Sequence, residues 1–179
     1  MEDRLKSLSV LVVDDDRLMR KLVSDVLVKL GFSRIFKAIH GGAALSILDS
    51  TPIDFIITDW RMENMDGIEF IRHVRTSMKE YALIPIIMLT GNAEAHQVLQ
   101  ARDVGVNEYL IKPFTVKDLC SRLKQIIDHP REFVLAPAYI GPSRRRRTLP
   151  PVTTTERRQR HDKPMTREMV YDQLERSYS

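Results

Sequence analysis

The chain has 179 residues, 28 Lys+Arg against 24 Asp+Glu, 43% hydrophobic residues and a single cysteine. This length fits one ordinary domain with an extension, and no apolar run approaches the ~18 residues that span a bilayer, which excludes a membrane-spanning protein. The N-terminal stretch lacks the apolar core and small-residue cleavage site of a secretory leader, so a cytoplasmic protein is expected, and the lone Cys120 excludes an internal disulfide and a cysteine-built zinc module.

Short apolar runs alternate with helical patterns through the first 129 residues, the signature of strands and helices in turn. Leu8 to Val13 reads as a strand, and Arg17 to Leu30 as a helix with Leu18, Leu22, Val26 and Leu30 on one row before Gly31 stops it. Ile35 to Ile39 and Ala43 to Leu48 make a second unit. Phe55 to Thr58, then Gly67 to Val74 with Ile68, Ile71 and Val74 inward, make a third. Pro85 to Thr90 and a helix capped near Asn92 make a fourth. Tyr109 to Ile111 and Val116 to Ile127, with Leu119, Leu123, Ile126 and Ile127 inward, make a fifth. Five such units are too few for a closed eight-stranded barrel and predict an α/β fold, an open doubly wound parallel sheet with helices on both faces.

In such sheets the chemistry gathers at the carboxyl ends of the strands. Strand one ends in Asp14-Asp15-Asp16, strand three in Asp59, strand four in Thr90 and strand five in Lys112-Pro113; strand two offers only His40-Gly41-Gly42. Clustered carboxylates repel and recruit a cation, and an oxygen-rich site suits Mg²⁺ that keeps several waters. A lysine and a threonine beside it supply the groups that hold phosphoryl oxygens, so the constellation points to a phosphorylated aspartate. Read singly, the three aspartates could instead cap the helix that follows, Tyr109 could be an ordinary half-buried strand aromatic, and His40, His73, His96 and His129 are scattered surface residues without ligand spacing.

From about residue 7 to 128 the chain resembles the response-regulator receiver family, the CheY-like domains. The resemblance is carried by Val12-Val13-Asp14-Asp15, by Thr58-Asp59-Trp60-Arg61-Met62-Glu63-Asn64-Met65-Asp66-Gly67, by Leu89-Thr90-Gly91 and by Tyr109-Leu110-Ile111-Lys112-Pro113-Phe114. It implies a flavodoxin-like sheet of strand order 2-1-3-4-5. It further implies that Asp59 is the phosphoacceptor for a sensor histidine kinase or phosphotransfer protein. Asp15, Asp59 and the backbone carbonyl of Arg61 would ligate Mg²⁺, with Asp14 acting through a water. Lys112 would pair with Asp59 and then with the phosphoryl group, the Lys112-Pro113 peptide would be cis, and Thr90 and Tyr109 would form the switch that remodels the face offered to a downstream protein target. The chain departs from the pattern at Glu63, where the family usually has proline. Arg61 and Asn92 stand where the family tunes the lifetime of the aspartyl phosphate.

Charge marks a boundary near Pro130. Residues 1–129 carry 17 Lys+Arg against 18 Asp+Glu, whereas residues 130–179 carry 11 against 6, with six of the nine prolines and one of the seven glycines. The expected domains are a receiver at 1–129 and a basic, Pro-rich, extended and partly disordered tail at 130–179. Within it, Phe133 to Gly141 either folds back over the last receiver helix or runs as a solvated linker. Arg144 to Arg147 is a basic run, and Met165 to Tyr178 has the pattern of one short amphipathic helix, marginal without a docking surface.

The expectation is therefore a stand-alone two-component response regulator, a signalling module rather than an enzyme, with Mg²⁺ as cofactor and no specific nucleic-acid partner. One alternative is a transcriptional regulator that binds DNA through the basic tail, although no helix-turn-helix of adequate length follows residue 130. Another is an aspartate-nucleophile phosphohydrolase on a similar sheet.

Overall fold

The structure, a computed structural model, describes residues 2–77, 79–91, 94–136 and 139–143. After a short helix α1 (Glu2–Ser7) the chain alternates β1 (Ser9–Val13), α2 (Arg17–Lys29), β2 (Arg34–Ala38), α3 (Gly41–Ser50), β3 (Phe55–Asp59), α4 (Gly67–Thr76), a 3₁₀ turn (Glu80–Leu83), β4 (Ile86–Thr90), α5 (Ala95–Asp103), β5 (Glu108–Ile111) and α6 (Val116–Asp128). β1 to β5 form a parallel sheet in the order β2-β1-β3-β4-β5. The expected doubly wound, flavodoxin-like architecture is the one observed.

The continuous apolar runs are explained by burial on both faces, as parallel sheets covered by helices require. Alternate residues feed two cores. Leu11, Val13, Ile56, Ile86 and Met88 pack with Leu48, Ile68, Phe70, Ile71 and Val74 on one side. On the other, Val10, Val12, Ile57, Ile87 and Leu89 pack with Val23, Val26, Leu27, Leu119, Leu123 and Ile126.

The row read on α2 is corrected. Leu18 is 76% exposed and Leu22 47% exposed, while the buried face carries Val23, Ser24, Val26 and Leu27. An every-fourth row advances about 40° per step on a helix of 3.6 residues per turn, so Leu18 and Leu30 cannot share a face. α3 begins earlier than expected because His40 caps it: its Nδ1 accepts from the Ala43 N–H at 3.1 Å. α5 starts at Ala95 after Glu94, and Asn92 lies outside the described residues. α6 opens with a reciprocal capping box between Thr115 and Asp118.

Beyond Pro130 the chain forms an antiparallel hairpin of β6 (Phe133–Ala136) and β7 (Tyr139–Pro142). It docks on the edge of the sheet where β4 and β5 begin. Gly105, at φ +93°, meets it so closely that a Cβ would lie 2.7 Å from the Ile140 carbonyl oxygen. Arg75 of α4 is 2% exposed there. Its guanidinium donates to the carbonyls of Gly105, Ala82 and Ile84 and to Asn107 Oδ1, and lies 5.0 Å from the Phe133 ring centroid. None of these partners is a carboxylate; burial lowers its pKa to about 9, which leaves it cationic at neutral pH. Arg131 ties the hairpin down by donating to the carbonyls of Asn107 and Ser143. Arg144 to Arg147 and Met165 to Tyr178 lie outside the described residues. No helix among the described residues is long and apolar enough to cross a membrane.

Candidate functional site

Three strands deliver the charged residues to the carboxyl edge of the sheet. β1 ends at Val13, and the next two residues diverge in environment: Asp14 is 1% exposed and Asp15 lies at the surface. Asp16 is the helix cap, its side chain accepting from the N–H groups of Leu18 and Met19. The ambiguity among the three aspartates is thus divided: one caps α2 and two turn toward β3. Asp59 closes β3 at 8% exposure. One carboxylate oxygen from each of Asp14, Asp15 and Asp59 lies within 4.8 Å of the others.

Lys112, just past β5, reaches into this group. Its Nζ lies 2.8 Å from Asp59 Oδ1 and 3.1 Å from Asp14 Oδ2, so it bridges both buried carboxylates rather than Asp59 alone. The Lys112-Pro113 peptide is cis. Burial by itself would pull the Lys112 ammonium down, but the hydrogen bond and charge of Asp59, with Asp14, outweigh it and leave the pKa above the ordinary lysine value. Burial pushes the Asp14 carboxyl up, and the adjacent Asp59 charge adds to this; the Asp16 N–H at 2.8 Å and Lys112 offset it only in part.

The loop between β3 and α4 shapes the rim. A Cβ on Gly67 would lie 2.1 Å from the Asp59 carbonyl oxygen, so the backbone next to Asp59 admits only glycine there. Asp66 caps α4 by accepting from the Glu69 N–H at 2.7 Å. Asn64 adopts φ 66°, in the left-handed region that asparagine tolerates. The Glu63 N–H donates to Asp15 Oδ2 at 3.2 Å.

The remaining expected residues stand on β4, on β5 and in the loop after β3. Thr90 is buried at the end of β4, and its carbonyl accepts from the Lys112 N–H at 2.7 Å. Tyr109 on β5 is half-buried against the core that holds Met88 and Ala101. Arg61 stands exposed in the loop after β3. Sequence reasoning missed the second partner of Lys112, the Glu63 N–H and the Arg75 node; the Asp66-Gly67 pair was the visible sign of the tight approach at Asp59.

Three carboxylates facing one ammonium leave excess negative charge, and an all-oxygen donor set suits a hard divalent cation such as Mg²⁺. The residues present therefore fit that ion.

The family profile described as "Response regulator receiver domain" matches residues 10–124. The chain is 37% identical over 123 residues to the chemotaxis protein CheY-3 of Vibrio cholerae, covering 69% of this chain and 94% of that protein. It is 36% identical over 121 residues to the chemotaxis protein CheY of Pseudomonas aeruginosa, covering 68% and 97%. Among solved structures, Vibrio cholerae CheY4 aligns with TM-score 0.63 and 33% identity, over 66% of this chain and 98% of the other. Receiver domains of this kind bind Mg²⁺ at an acidic cluster and interact with histidine kinases and downstream targets. From motif order, sheet topology and these matches together, the chain belongs to the response-regulator receiver family, the CheY-like signalling modules of two-component systems.

Proposed function

We propose that Asp59 is the phosphoacceptor of this receiver and that its phosphorylation requires Mg²⁺. The observation that carries this reading is Lys112 Nζ held 2.8 Å from Asp59 Oδ1 within the three-carboxylate cluster. Asp59 attacks phosphorus in line, an O–P bond forms, and the P–N bond to the donor histidine breaks, leaving an aspartyl phosphate. Asp15, Asp59 and the Arg61 carbonyl would hold the Mg²⁺ directly and Asp14 through a water; the ion supplies positive charge that offsets the oxygens of the transferring group. Lys112 then exchanges its contact with the Asp59 carboxylate for one with a phosphoryl oxygen, and Thr90 donates its hydroxyl to another.

The output follows from the same residues. Movement of Thr90 toward the phosphoryl group vacates volume that Tyr109 fills by turning inward, which remodels the surface of α5, β5 and α6 for a protein target. Reversing a 1:99 population of inactive and active forms to 99:1 requires about 5.5 kcal/mol of differential stabilisation, so a weaker bias leaves both forms populated. Support comes from the burial of Thr90 at the strand end and the half-buried setting of Tyr109 on the neighbouring strand.

The test is intact-mass analysis after incubation with acetyl phosphate and Mg²⁺. A phosphoryl adduct is expected in the wild type and not in Asp59→Asn; an adduct that persists in the variant overturns the assignment. The alternative, DNA binding through the tail, rests on Arg144 to Arg147 alone. A gel shift across salt concentrations decides it, since generic phosphate contacts weaken steeply with salt for every sequence alike.

A further inference from the structure

We infer that the backbone N–H of Glu63 is a positioning group for the metal site, holding Asp15 in the orientation in which it serves as a ligand. The inference rests on the magnesium reading above and adds a residue to it. The three carboxylates are not equally supported. Asp14 is buried, with the Asp16 N–H at 2.8 Å and Lys112 at 3.1 Å; Asp59 is buried against Lys112. Asp15 is exposed, and its hydrogen bond among the described residues is the one from Glu63, 48 positions away, at 3.2 Å to Oδ2. An exposed aspartate without such a contact samples several rotamers and would have to be ordered when the ion arrives.

The donor exists only because residue 63 is not proline. Proline at this position would offer no N–H. The turn that presents the Glu63 donor is closed by the Met65 N–H donating to the Glu63 carbonyl at 2.8 Å, next to Asn64 at φ 66°. One N–H occupies a single lone-pair site of Oδ2. A carboxylate offers about four, so Asp15 remains able to ligate while its rotamer is fixed. Outer-shell groups of this type act on affinity by orienting the ligand they touch.

The experiment measures Mg²⁺ binding to the full chain by calorimetry and by fluorescence of Trp60, the only tryptophan and the neighbour of Asp59. Glu63→Ala and Glu63→Pro both remove the carboxylate, but only proline removes the N–H, so alanine is the reference. Glu63→Pro is expected to bind Mg²⁺ about tenfold more weakly than Glu63→Ala. Equal or tighter binding by Glu63→Pro overturns the inference. Should the proline variant fail to fold, the Glu63 amide decides by NMR. Its proton is expected to move upfield and exchange faster in Asp15→Ala, and an unchanged amide overturns the inference. Absence of Mg²⁺ binding by the wild type defeats the magnesium reading and this inference together, a pattern distinct from binding that ignores the proline.

Discussion

Lys112 and Asp14 meet at 3.1 Å although 98 positions separate them, and the ammonium is shared with Asp59 at 2.8 Å. One cation therefore serves two buried carboxylates, and the site is under-neutralised until another positive charge arrives. That imbalance generates the first two predictions.

Asp14→Asn is expected to stabilise the metal-free protein by about 1 kcal/mol at neutral pH, because a carboxyl whose folded pKa is raised by burial costs stability while it is ionised, and the amide carries no such charge. The sign follows from the raised pKa of Asp14. The folded state binds this proton more tightly than the unfolded chain, so the cost of the carboxylate is fully present above its folded pKa and is absent below the unfolded value of 3.8. The advantage of the variant should shrink as pH falls through that window. Urea midpoints at several pH values measure it, and an advantage constant down to strong acid would refute the explanation.

Mg²⁺ at about a hundred times its dissociation constant is expected to add about 2.7 kcal/mol to the stability of the wild type by mass action. Asp15→Asn and Asp59→Asn should lose most of that increment. Thermal melts with and without the ion, at constant ionic strength, separate the specific effect from screening.

Gly67→Ala is expected to lower stability by about 2 kcal/mol and to slow phosphorylation, because the added methyl falls on the Asp59 backbone, which has no flexible end to move aside. Melting temperature and acetyl phosphate labelling report the two effects. A variant as stable and as reactive as the wild type would show that the loop relaxes freely.

Arg75→Met is expected to cost about 3 kcal/mol, since the carbonyls of Gly105, Ala82 and Ile84 lose their donor inside the protein. Arg75→Lys should recover little of it, because an ammonium cannot reproduce the planar fork. Phe133→Ala should cost about 2 kcal/mol through lost burial and the lost ring contact. Denaturant midpoints order the three variants, and near-equality of Arg75→Lys with the wild type would contradict the bonding described.

The polar edge of the sheet was legible in the sequence for a physical reason. Doubly buried strands read as unbroken apolar runs, so Asp14, Asp59, Thr90 and Lys112 stand out as the polar residues that end them. The helix faces were less legible: the row through Leu18 and Leu22 competes with the one through Val23 and Leu27, and only packing against β1 and β3 selects between them. Arg75 could not be found, because an arginine beside His73 and Thr76 on an amphipathic helix reads as a solvated charge, and most of its hydrogen bonds go to main-chain carbonyls that leave no mark in the sequence. The Glu63 contact is hidden in the same way, as a main-chain donor noticeable only where proline is usual.

The contact of Phe133 with Arg75 joins a residue beyond position 129 to the packing around α4. A fragment trimmed at residue 129 would keep every residue of the acidic cluster yet strip the aromatic ring from a side chain that is cationic at neutral pH, opening the start of β4 and β5 to water. A chain cut after Ser143 instead keeps the ring contact, the Arg131 bonds and the Ser143 N–H to Glu132 carbonyl bond that closes the hairpin.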